Sequence, residues 1–388
     1  MLERVTVSPS SFKKLLPLLI AGTLGRLPTV TLPIASLLLV ADRTSLTRGG
    51  FASGAVSLGA GLIGVLVGRH LDSDRAGHVL TALTILHFPA TFAFIALAGT
   101  TNTAALLVVS LFAGASVAPV GPVVRAFLAE KSSPEDRQRI FAWDSISVEL
   151  TWIGGPLLVS LAILTSGPAA AVAMSPVLAT VGVLSIRRQP ARKVHHSTDP
   201  SRWLTSDVVR IIIAFALAGA AFRAVTIAVT EVARLTGHNE LTGALVAFWA
   251  SGSVLGAWFI SRRGTPPIPL IGVALAITVG LIGLGESSLW LTGALAFISG
   301  IPTAPFVAGL NTLITTVTHE SAHARAFASL QAASTITAAV GAAVGGAAID
   351  RYGPSVVSIP CTILLLGSAR LSVVHATKRR VGTAPIVE

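Results

Sequence analysis

LLPLLIAGTLGRLPTVTLPIASLLLV, residues 15–40, carries a single charged residue, Arg26. A helix rises about 1.5 Å per residue, so some 20 apolar residues cross the roughly 30 Å hydrocarbon core of a bilayer, and this stretch is long enough to do so. Working outward, eleven further stretches of the same kind follow, at 49–69, 78–99, 103–128, 140–164, 167–186, 209–233, 242–261, 268–285, 289–316, 325–349 and 352–374. The expectation is therefore an all-α polytopic membrane protein with twelve transmembrane helices. Composition agrees: 52% of the 388 residues are hydrophobic and 12% charged, too apolar a surface for a water-soluble chain of this length. The first stretch is longer than a signal-peptide core and lacks a convincing cleavage site, so it is expected to be retained.

Basic residues set the orientation. Of 28 Lys and Arg residues, 20 fall on one side of the expected spans. They include Lys13 and Lys14, Arg69 and Arg75, Arg137 and Arg139, the group Arg187 to Arg202, Arg262 and Arg263, and the tail Lys378 to Arg380. The opposite side has Arg43, Arg48, Arg234 and Arg351. By the positive-inside rule the richer side is cytoplasmic and both termini lie there, with the plasma membrane as the expected location. The formal charge of +11 is thus read as topology signal and contact with anionic lipid; it is not gathered on one face as nucleic-acid binding requires. Cys361 is the only cysteine, which excludes an internal disulfide and a cysteine metal cluster.

The chain repeats itself. AGTLGR at 21–26 recurs in kind as AGAAFR at 218–223, and Gly50, Gly59 and Arg69 line up with Gly243, Gly252 and Arg262. Two six-helix bundles follow, residues 1–186 and 209–388, joined by a polar linker at 187–208 on the cytoplasmic side.

GRLPTVTLPIASLLLV (25–40) with GFASGAVSLGAGLIGVLVGRHLDSDRAG (50–77) resembles the first two spans of the major facilitator superfamily. APVGPVVRAFLAE (118–130), continuing into FAWDSISVELTWIGGPLLVS (141–160), resembles its spans four and five. The resemblance implies two pseudo-symmetric bundles, alternating access and a central cavity lined mainly by spans one, four, seven and ten. It also implies a conformational latch in the loop after span two: Gly68, Asp72, Arg75 and Gly77 match the family pattern only with Ser73 and Asp74 inserted, which leaves Asp72 and Asp74 as alternative acids of the latch. A short solvated turn is the plainer alternative. Gly155-Pro156 resembles the end of a motif of drug/proton antiporters, though a proline that bends span five explains it equally.

Charges inside spans carry the functional reading, because each costs about 2.5–3.5 kcal/mol on insertion scales and so marks a cavity or a partner. Arg26 in span one and Arg223 in span seven are superposed by the repeat, and two converging guanidiniums would bind a carboxylate or phosphate. The alternative is that each braces its bundle through an acid such as Glu149 or through carbonyls. Arg125 and Asp144, on antiparallel neighbours, are within reach of each other. Glu149 lies about two turns deeper, where desolvation makes it the leading candidate to carry a proton; Glu231 is a poorer one. Asn311 and Gln331 are candidate hydrogen-bonding groups for a substrate.

Two other motifs point elsewhere. His319-Glu320-Ser321-Ala322-His323 satisfies the zinc-protease pattern H-E-x-x-H, but it falls in a connection and no third ligand stands out. Gly59-Ala60-Gly61-Leu62-Ile63-Gly64 matches G-x-G-x-x-G inside an apolar span, where it reads as a helix-packing surface. There is no P-loop. The expectation is a secondary transporter, not an enzyme, with no cofactor or resident metal; its partners are a small solute, protons and membrane lipid. A small organic anion is the leading cargo and drug or metabolite efflux the alternative. An intramembrane zinc protease or a non-transporting sensor are readings of another class.

Overall fold

A computed structural model describes residues 9–71, 76–131, 134–187, 204–263, 266–318 and 323–373. Among them there is no strand. The helices are α1 (Pro9–Arg43), α2 (Leu46–Leu71), α3 (Ala76–Leu97), α4 (Thr103–Ala115), α5 (Val120–Lys131), α6 (Pro134–Ser166) and α7 (Pro168–Arg187) in the first half. The second half holds α8 (Ser206–Leu235), α9 (Thr242–Arg263), α10 (Ile268–Leu281), α11 (Leu289–Gly300), α12 (Thr303–Val317), α13 (His323–Tyr352) and α14 (Ser358–Leu371). Eleven segments of the described residues are long and apolar enough to cross a membrane, and α2 stands where the remaining span is expected.

Two spans expected to be continuous are each broken in the middle. Span four is α4 followed by α5, and span ten is α11 followed by α12. Proline is the cause in both. Pro119 and Pro302 have no N–H to donate to the preceding turn, and each ring crowds the carbonyl four residues back. The breaks fall at similar positions in corresponding spans, so the interruption belongs to the repeat.

The packing is repeated as well. α1 packs on α6 and α7, as α8 packs on α13 and α14; α2 packs on α4 as α9 does on α11, and α3 on α7 as α10 on α14. These are the same pairs shifted by six spans, the arrangement of two pseudo-symmetric bundles. In lipid the gain on association comes from close packing of small residues, not from escape from water. The aligned glycines show how. A Cβ on Gly59 would collide with the Leu111 carbonyl of α4, and one on Gly252 with the Phe297 carbonyl of α11. Gly50 and Gly243 do the same between the halves, against the Ala342 carbonyl of α13 and the Pro156 carbonyl of α6.

The halves meet along α2–α13 and α6–α9. Among the described residues, hydrogen bonds join them at the end remote from the termini, here called the distal end. There Thr47 Oγ1 donates to Asp350 Oδ2 at 2.8 Å, and the Gly243 N–H donates to Ser160 Oγ at 2.9 Å. Leu37, Ala41 and Leu46 of the first half belong to the second half's apolar cluster, while Val246 belongs to the first half's.

Candidate functional site

Asp144, on α6, is 1% exposed and lies between two guanidiniums. Arg26 of α1, itself 8% exposed, brings Nη2 to 2.7 Å from Asp144 Oδ1 and donates from Nη1 to Ser147 Oγ at 2.9 Å. The Nη2–Oδ1 contact is an ion pair without hydrogen-bond geometry. Arg125 of α5 donates from Nε to Asp144 Oδ2 at 2.9 Å, with 60% of its side chain exposed. Asp144 and Ser147 stand one turn apart on the same face of α6, so both reach Arg26. Glycines bring α1 and α5 together beside it: a Cβ on Gly22 would lie 2.9 Å from Val124 Cγ1, and one on Gly25 2.7 Å from Val120 Cγ1. The expected Arg125–Asp144 contact is present, and Arg26 joins it. Arg26's acid is Asp144, not Glu149.

Arg223 is placed differently. Its Nη2 donates to Ser57 Oγ of α2 across the bundle interface at 3.4 Å, and no carboxylate among the described residues lies within ion-pair distance. The two arginines superposed by the repeat thus have unlike partners, because Arg223 has no counterpart of Asp144. Glu149, half-buried on α6, has no hydrogen bond or ion pair among the described residues. A charge held inside a span without a counter-ion is the costliest kind, and Arg223 and Glu149 are both of that kind.

The remaining expected residues are dispersed. Asn311 is half-buried on α12, and Gln331 is exposed on α13. Glu231 is buried but taken by Arg234 one turn on, through contacts of 2.6 and 2.7 Å. Gly68 and Gly77 sit near the facing ends of α2 and α3; Asp72, Asp74 and Arg75 between them lie outside the described residues, as do His319 and Glu320. An apolar groove of about 350 Å³ between α3 and α7, lined by Thr81, Phe88 and Leu184 among others, is bordered by no charged residue.

Sequence reading missed three polar sites. His87, fully buried on α3, bonds Ser116 and Ser175. Trp249 of α9 donates to Thr303, and Asp350 accepts from Thr47. A lone polar side chain inside an apolar span is the signal that would have flagged His87.

No curated protein matches the sequence. Among solved structures, the fold is similar to that of a bacterial homologue of the human lysosomal transporter Spinster, inward-facing and occupied, at 14% identity and a TM-score of 0.70, covering 95% of this chain and 97% of that one. It is similar to the nucleoside transporter NupG at 15% identity and a TM-score of 0.67, covering 92% and 97%. It is also similar to the xylose transporter XylE from E. coli, inward open, at 12% identity and a TM-score of 0.69, covering 93% and 96%. The profile of the Major Facilitator Superfamily matches residues 15–291. With twelve spans in two matched bundles and that profile over most of its length, the chain belongs to the major facilitator superfamily.

Proposed function

We propose that the protein moves a small anionic solute across the plasma membrane by alternating access, coupled to protons, with both termini cytoplasmic. The observation that carries this reading is Arg223, a cation within span seven with no carboxylate partner among the described residues. A transported anion supplies the missing counter-charge. Arg26 is committed to Asp144 and Ser147, so it braces the first bundle and leaves the anion to Arg223. Glu149 carries the proton, since Asp144 is already paired with two guanidiniums while Glu149 has no charged partner among the described residues. Asn311 and Gln331 are the polar groups proposed to orient the cargo. The moving units are residues 1–186 and 209–388, linked through 187–208, with Gly68, Asp72, Asp74, Arg75 and Gly77 as the cytoplasmic latch. The distal contacts of α2 with α13 and of α6 with α9 support a state open toward the termini.

Glu149 supports a second reading, efflux of a cationic compound in exchange for a proton. A thermal-shift screen of the purified protein with small organic anions and cationic compounds separates the two. A ligand at 100 times its dissociation constant adds about 2.7 kcal/mol to native stability. Stabilisation by an anion that Arg223→Gln abolishes supports the anion porter. Stabilisation by cations that survives Arg223→Gln and is lost in Glu149→Gln moves the assignment to efflux.

A further inference from the structure

The breaks in spans four and ten free backbone groups beside buried residues, Ala113, Ser116 and Ser299, so partners must come from the protein itself. In span four the Val117 N–H has turned to the Gly114 carbonyl at 3.0 Å, so the Ala113 carbonyl loses the partner a regular helix would give it. The Ser116 hydroxyl donates to Ala113 O at 2.8 Å. A hydroxyl has one proton, so Ser116 Oγ can only accept from His87 Nδ1, 2.8 Å away. The Ala113 carbonyl faces the same ring. His87 Nε2 is 2.8 Å from the Ser175 hydroxyl of α7, which donates nowhere else among the described residues and therefore donates to the ring. Thr91 Oγ1, one turn along α3, stands 3.4 Å from Nδ1 and takes the longer branch of the same N–H. The three shorter contacts are met together by one arrangement: Ser175 to Nε2, Nδ1–H to Ser116, Ser116 to Ala113.

Span ten is held in the same way. The Thr303 hydroxyl donates back across the break to Ser299 O at 2.9 Å, and its oxygen accepts from the indole N–H of Trp249 at 3.1 Å. Indole nitrogen only donates, so the direction of this chain is certain. Trp249 is further fixed by an edge-on contact with Phe222, ring centres 5.5 Å apart. Each break thus ends in the same sequence of groups, ring N–H to hydroxyl to carbonyl, although the rings sit on spans that are not equivalent, α3 and α9.

We infer that His87, as the neutral Nδ1–H tautomer, and Trp249 are positioning residues that hold the two breaks and so set the course of α5 and α12. α5 carries Arg125 to Asp144 and Gly121 to Arg26, and α12 carries Asn311. The inference does not depend on what is carried.

Two measurements on the full chain in lipid nanodiscs test it. In ¹⁵N-histidine-labelled protein, the His87 resonances are those that disappear in His87→Asn. They should show a protonated Nδ1 and a bare Nε2; the opposite tautomer, or a doubly protonated ring, overturns the assignment. For span ten, Trp249→Phe and Thr303→Val should each lower the melting temperature, and the double variant should lower it no further than the worse single one, because each breaks the same chain. Additive losses, or no loss in either, overturn the role of Trp249. Arg125→Gln should lower the melting temperature in native protein and in His87→Asn, which keeps an N–H near Ser116, and change it little in His87→Leu. An equal drop in all three removes His87 from the positioning of α5.

Discussion

Asp144 is the residue whose loss the structure predicts to cost most. Asparagine in its place leaves two guanidiniums facing each other with no carboxylate, and removing one partner of a buried ion pair costs about 3–5 kcal/mol. Thermal unfolding should show a large fall for Asp144→Asn, partly restored when Arg26→Leu is added. If Asp144→Asn unfolds at the native temperature, the brace is not structural. Arg223→Gln and Glu149→Gln should not destabilise, since each removes an uncompensated charge from a span; a fall in melting temperature in either would reveal a partner that the described residues lack. The presence of Arg26, Arg223, Asp144 and Glu149 inside spans was legible from composition alone. Their pairing was not, because a guanidinium can find any acid within a side chain's length, and helical spacing cannot say which face meets which neighbour.

At the scale of elements, the twelve spans were readable because length and hydropathy are local properties of the chain. The breaks were not, although Pro119 and Pro302 stood in plain view: prolines also occur inside intact helices here, at Pro28, Pro89 and Pro176. At the two breaks hydroxyls donate to nearby carbonyls, Ser116 to Ala113 and Thr303 to Ser299, contacts between residues that sequence spacing does not single out. The glycine alignment gave the register of the repeat and proves to be a register of contacts. Gly59→Val and Gly252→Val should each cost about 1–3 kcal/mol by overpacking, measured by unfolding in detergent. Gly64→Val and Gly154→Val, where a Cβ meets nothing within 4 Å, should leave the melting temperature unchanged. Equal losses at all four positions would mean that helix propensity, not close approach, sets the cost.

For the molecule as a whole, the distal contacts predict a device that can be locked. Cysteines replacing Thr47 and Asp350, in a Cys361→Ser background, should form a disulfide under oxidation that stops uptake of the stabilising ligand into proteoliposomes, with recovery on reduction. Undiminished uptake in the fully crosslinked protein would show that the distal end need not open. The sequence by itself determined the membrane class, the number of spans, the repeat and the charge bias that argues for cytoplasmic termini, because each depends on residues near one another in the chain or on sums over it. Only the tertiary structure decided that Arg26 is neutralised while Arg223 is not, that spans four and ten are split, and that His87 and Trp249 meet the splits. Those outcomes depend on contacts between helices far apart in sequence, where a difference of one side chain on a facing span, Asp144 against Ser57, changes what an arginine is free to do.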